Sequence, residues 1–167
     1  AERLLLARSI AQAVDLSVGN ARQALGRLAQ DLPAIDASAA ASLRAFRFHS
    51  TFHHATYLLT AQGAPVAADP PAAAALPISQ LGDRVAVTGL LASADHGGEL
   101  ILALVQPFTR QGHDYLLVAE LEPRHSPLNA MLSELQRGSD AQISIVDESG
   151  VVIAAAAGGY WFWQKSR

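Results

Sequence analysis

The chain has 167 residues, 50% of them hydrophobic and 16% charged, the balance of a folded domain rather than a disordered one. Its formal charge of −3 argues against a dedicated nucleic-acid binder, and the lack of cysteine excludes disulfides, zinc–thiolate sites, iron–sulfur clusters and a cysteine nucleophile. The mean hydropathy of +0.19 owes much to alanine; no stretch has the roughly 20 strongly apolar residues of a membrane helix, and no basic-then-apolar leader opens the chain.

Residues 1–31 contain no proline and predict one long helix. Leu4, Ala7, Ala11, Val14, Val18, Ala21, Leu25 and Leu28 recur at alternating spacings of three and four, the seam of a helix that packs along another helix. At about 1.5 Å per residue such a helix is roughly 42 Å long, more than a compact domain of this size requires. A second apolar edge of Leu6, Ile10 and Leu16 is free to meet the domain's own core. Two readings stand side by side: an amphipathic helix folded on its own domain, or one that also pairs with its copy in a parallel homodimer. The abrupt start within a helical pattern suggests a piece of a longer protein.

Leu32-Pro33 stops the helix. A shorter one is expected over 34–48, with Ile35, Leu43 and Phe46 turned inward. Residues 50–60 read as a strand with Ala55, Tyr57 and Leu59 alternating, Gln62-Gly63 as a turn, and 64–68 as the returning strand. An alanine-rich connection from Asp69 to Gly82 follows. Strands are then expected over 84–91, 99–108 and 114–121. The apolar run from Leu100 to Val105 has no alternation, which predicts a strand covered on both faces. Gly112 supplies a hairpin turn between the last two. Ser126-Pro127 opens a helix to about residue 137, with Ser126 as its cap and Leu128, Met131, Leu132 and Leu135 as its stripe. A hairpin over 142–154 closes the pattern. The fold class expected is α+β: a long N-terminal helix and an antiparallel sheet flanked by helices. The chain divides accordingly into a helical segment (1–48), a sheet module (49–138), a final hairpin or the start of a second module (139–157) and a tail (158–167).

These motifs, in this order, resemble the Cache family, the extracytoplasmic PAS-like sensor domains of bacterial membrane receptors. The resemblance is carried by the long first helix, the strand pair Tyr57-Leu-Leu-Thr-Ala-Gln-Gly63-Ala-Pro-Val66, and the apolar strand from Leu100 to Pro107-Phe108. It continues through the Gln111-Gly112 turn, the returning Tyr115-Leu-Leu-Val-Ala-Glu-Leu121, the helix from Leu128 to Leu135, and Ile145-Val-Asp147-Glu-Ser-Gly150-Val-Val-Ile153-Ala154. It spans about residues 4–155, and the Asp83-Arg84 pair matches one found in some members. The Arg-x-Trp element of amino-acid-sensing members is missing, so the resemblance does not imply an amino-acid ligand.

The resemblance implies a signal-transduction sensor, tethered to the membrane and facing the periplasm or exterior, in front of a histidine kinase, diguanylate cyclase or chemoreceptor. A small molecule would occupy a pocket between the sheet and the 69–82 connection. Arg84 and Arg110 would supply forks for an anion or carboxylate, with Tyr57, His113 and Tyr115 as hydrogen-bond donors. Each has a plainer reading: Arg84 at a strand edge, Arg110 and His113 as solvated turn residues, Tyr57 and Tyr115 as core residues with satisfied hydroxyls. Catalytic residues are not expected, since no G-x-S-x-G, P-loop, G-x-G-x-x-G or H-E-x-x-H occurs; any catalysis would lie in an output domain outside this chain. His49, His53 and His54 lie close together, and His49 and His53 stand four apart, as zinc ligands on a helix do, but the chain passes there from helix to strand with no carboxylate or cysteine nearby in sequence; they are expected to be loop or surface histidines, and neither metal nor cofactor is expected. His96, His113 and His125 are expected to face water. The tail Gly159-Tyr-Trp-Phe-Trp-Gln-Lys-Ser-Arg167 reads either as the aromatic and basic exit of a membrane segment or as an appended linker.

Overall fold

The fold comes from a computed structural model that describes residues 2–71, 90–94, 100–137, 143–146, 152–157 and 160–162. Helix α1 runs from Glu2 to Asp31. Alanine-rich and free of proline, it ends where Leu32-Pro33 begins, and two interactions close it: the Leu32 amide donates to the Leu28 carbonyl at 3.0 Å, and the Arg110 guanidinium donates to the Leu32 carbonyl. A 3₁₀ turn over Ala37–Ala39, capped by the Asp36 carboxylate accepting from the Ser38 amide at 2.7 Å, leads into α2, Ala40–His49. The second helix thus starts later than the sequence pattern suggests, because Asp36 binds the backbone in a turn rather than joining a helix.

Strands β1 (Ala55–Thr60), β2 (Pro65–Asp69), β3 (Leu90–Ala94), β4 (Leu100–Arg110) and β5 (His113–Leu121) form an antiparallel sheet in the order β2-β1-β5-β4-β3. Residues 50–54, expected to be strand, are irregular: the Phe52 amide donates to Ser50 Oγ at 3.0 Å, and His53 Nδ1 lies 2.9 Å from the Thr51 carbonyl. These local bonds satisfy the backbone without a ladder. Strand β4 runs two residues further and β5 starts one residue earlier than expected, with Arg110 opposite His113 and only Gln111-Gly112 between. Both turn residues have positive φ, 52° and 78°, as a two-residue hairpin of the right twist demands.

Side chains of successive residues alternate between two faces, and both faces are buried over the middle of the sheet. Leu58, Leu100, Leu102, Leu104, Leu117, Ala119 and Leu121 pack with Ala21, Leu25 and Ala29 of α1 and Leu43 of α2. The opposite face clusters Ala55, Tyr57, Leu59, Ala103, Val105 and Val118. The six residues from Leu100 to Val105 are all buried, as their unbroken apolar run indicates. The chain is an α+β fold with a long N-terminal helix laid across one face of an antiparallel sheet.

Beyond the sheet lie a 3₁₀ turn (Pro123–His125) and helix α3, Pro127–Gln136. Ser126 does occupy the cap position of α3, but its hydroxyl donates backward to the Pro123 carbonyl at 2.8 Å and accepts no bond from the helix amides. Side chains of Leu128, Met131, Leu132 and Leu135 lie outside the described set. Strands β6 (Ile143–Val146), β7 (Val152–Ala157) and β8 (Tyr160–Phe162) form a second antiparallel sheet. The first three aromatics of the tail therefore pair with residues 155–157 as a strand, where a membrane exit or a linker was expected.

Candidate functional site

A partly buried polar cluster lies at one end of the face opposite α1. In the β1–β5 ladder Tyr57 stands opposite Val118 and Ala55 opposite Glu120, which sets Tyr57 and Glu120 on the same side of neighbouring strands. The Tyr57 hydroxyl donates to Glu120 Oε1 at 2.6 Å, with the tyrosine 1% and the glutamate 5% exposed. The backbone amide of His54 donates to the Glu120 carbonyl at 3.0 Å, which holds the imidazole beside the carboxylates. Its Nε2 lies 4.0 Å from Glu120 Oε2 and its Nδ1 3.4 Å from Glu122 Oε2. His125 Nδ1 lies 2.8 Å from Glu122 Oε1 across one turn of 3₁₀ helix. A phenol, two carboxylates and two imidazoles thus converge where β1 begins and β5 ends.

Sequence reasoning missed Glu120 and Glu122, took His54 for a loop or surface histidine, and placed His125 simply in water; the His125 ring is largely exposed but engages Glu122. The signal was there in Leu116-Leu-Val-Ala-Glu120-Leu121, an acid embedded in an apolar strand, where a charge is not found unless paired. What could not be foreseen is the partner, since Tyr57 is 63 residues away in the chain.

Of the five residues expected to bind a ligand, four are described, and these do not form one group; only His113 and Tyr115 adjoin the same cavity. Tyr57 lies on one face of the sheet. Tyr115 lies on the other, packed on the helix-side core with its ring 5.6 Å from that of Phe108. The cause is parity: Tyr57 is opposite Val118 on β5, so odd-numbered β5 residues turn away from it. Arg110, also on the helix side, spends its guanidinium on the end of α1. His113 is exposed, and it shares with Tyr115 a cavity of about 280 Å³ beside Thr60–Gln62 at the hairpin end of the sheet. Arg84 lies outside the described residues, as does His96.

The predicted dimer seam is divided as well. Ala21 and Leu25 are 6% and 0% exposed within this protomer, and Leu28, Val14 and Val18 are half-buried against it. Leu4, Ala7 and Ala11 remain exposed. Of the second apolar edge, Ile10 is buried while Leu6 and Leu16 are exposed. The seven-residue repeat is met by the sheet over its second half, which leaves only the first half available to another chain.

Another buried charge sits at the end of β2. Asp69, its side chain 3% exposed, accepts from Arg47 Nε at 2.5 Å and Arg44 Nε at 3.1 Å, both from α2. Burial pushes its carboxyl pKa up, but the hydrogen bonds and charges of Arg47 and Arg44 outweigh this and hold it below the usual aspartate value. Among the described residues no group of three or more His, Cys, Asp or Glu side chains has the arrangement to hold a metal ion. Among them, too, no helix is long and apolar enough to cross a membrane. No model of a known protein family matches the chain, and no curated protein matches it.

Proposed function

We propose that this chain is the extracytoplasmic ligand-sensing domain of a bacterial transmembrane receptor, a PAS-like Cache module that binds a small molecule and passes the change along α1. The observation that carries the reading is the division of α1. Its second half is fixed to the sheet by buried Ala21, Leu25 and Ala29, while its first half extends with Leu4 and Leu5 exposed. The first half, residues 2–20, is roughly 28 Å long at about 1.5 Å per residue and is the arm along which the change would pass. A ligand shifts such a device only by binding its two arrangements unequally. The Tyr57–Glu120 pair is the natural lever, since it bridges β1 and the central strand β5.

The test is a thermal-shift screen of organic acids, amines, purines and amino acids on the intact chain and on Tyr57→Phe. A ligand at about 100 times its Kd adds roughly 2.7 kcal/mol, a rise of about 5–10 °C for a domain of this size. The reading expects a hit that Tyr57→Phe weakens at least tenfold while its circular dichroism stays native. A silent panel, or hits indifferent to Tyr57, would overturn it. A second reading, a ligand-free dimerisation module, is favoured by one observation: Leu4, Leu5 and Leu16 are 58%, 63% and 66% exposed on a single helix. It expects a dimer in sedimentation velocity that Leu4→Asp dissociates, with no response to any ligand.

A further inference from the structure

On the helix side of the sheet, the face opposite Tyr57 and Glu120, lies a cavity of about 150 Å³. Val14 and Val18 of α1 make one wall; Leu102 and Leu121, paired across the β4–β5 ladder, make the facing one; Phe52 and Ile145 close its ends. Its rim includes Ala13 and Pro127, both exposed, so that a molecule can reach it from solvent. Three lining residues carry hydroxyls, and all three are engaged within the protein: Ser17 Oγ and Thr51 Oγ1 bond each other at 2.9 Å, and Ser126 donates to the Pro123 carbonyl at 2.8 Å. An occupant therefore meets apolar walls and no side-chain hydroxyl waiting for a partner. Water gains little in such a space, whereas an apolar cavity near 150 Å³ is large enough for a benzene-sized guest.

We propose that this cavity is a binding site for a small apolar molecule of single-ring size, wedged between the middle of α1 and the β4–β5 ladder. It goes beyond the sensing role assigned to the Tyr57–Glu120 face and stands or falls independently of it, for it lies on the other side of the sheet. The occupant touches α1 at Val14 and Val18, just before the helix becomes fixed at Ala21, and so bears on the helix where its packing changes from partial to complete.

The probe is benzene, titrated calorimetrically and by thermal melt into the intact chain, with pyrazine as a polar ring of the same shape. Saturable one-site binding is expected for benzene, with a rise in Tm of about 3–6 °C near its solubility limit, and at least tenfold weaker binding for pyrazine. Val14→Phe fills the cavity and should abolish the response; Ala13→Phe, at the exposed rim, is a second block that leaves the core intact. Absence of saturable benzene binding would overturn the proposal. So would equal binding of pyrazine, or benzene binding that persists in whichever of the two variants folds.

Discussion

Asp69→Asn separates two arginines that look alike in sequence. The carboxylate is 3% exposed, yet Arg47 is only 22% exposed and Arg44 63% exposed. Charge-assisted bonds that are shielded from water contribute about 1.5–3 kcal/mol, while exposed pairs contribute about 0–1 kcal/mol. The substitution keeps an acceptor oxygen for one arginine and removes the charge, so an expected loss of about 2 kcal/mol falls mostly on the Arg47 bond. Urea unfolding of the four proteins in each double-mutant cycle isolates the coupling: about 2 kcal/mol for Asp69 with Arg47→Gln, and below about 1 kcal/mol for Asp69 with Arg44→Gln. The pH dependence follows from the direction of the shift. Because the folded carboxyl is held below its unfolded value, near 3.9, its contribution is fully present above that value. It is lost as pH falls through the lower folded value, so wild type and Asp69→Asn should converge in stability toward that pH. Equal couplings for the two arginines, or a gap between wild type and variant that widens in acid, would refute the reasoning.

The remaining predictions concern packing. Leu25→Ala removes a side chain that is 0% exposed between α1 and the sheet and should destabilise by about 3 kcal/mol in chemical unfolding, whereas Leu5→Ala, at a site 63% exposed, should change stability by less than about 0.5 kcal/mol. A comparable loss at Leu5 would mean that a second chain covers it. Thr56→Val should stabilise by about 1 kcal/mol, because Thr56 Oγ1 is buried without a hydrogen-bond partner among the described residues and valine keeps the shape without the stranded hydroxyl. A loss on the same measurement would show that the hydroxyl does donate in solution.

How far the sequence reaches is clearest in α1. Spacings of three and four between Leu4 and Leu28 establish a helix and an apolar stripe, and both are present. The same spacings are silent on what meets the stripe, because a leucine sheet face and a second helix accept the same pattern. Here β4 and β5 meet the half that includes Ala21 and Leu25. The strands repeat the lesson in another form. Non-alternation at Leu100–Val105 does report burial on both faces, since it is a property of one segment. Whether Tyr57 and Tyr115 share a pocket is a property of two segments and their register, and a shift by one residue reverses the answer. That register is decided by contacts tens of residues apart, including the Tyr57–Glu120 bond itself. Two acids that the sequence reading passed over, one inside Leu116–Leu121 and one closing β2, are the ones the fold pairs: Glu120 with Tyr57, Asp69 with Arg44 and Arg47. Buried charge is thus a better guide to sites in this chain than polar residues picked for their ligand chemistry, because burial forces a partner and the partner must come from another element.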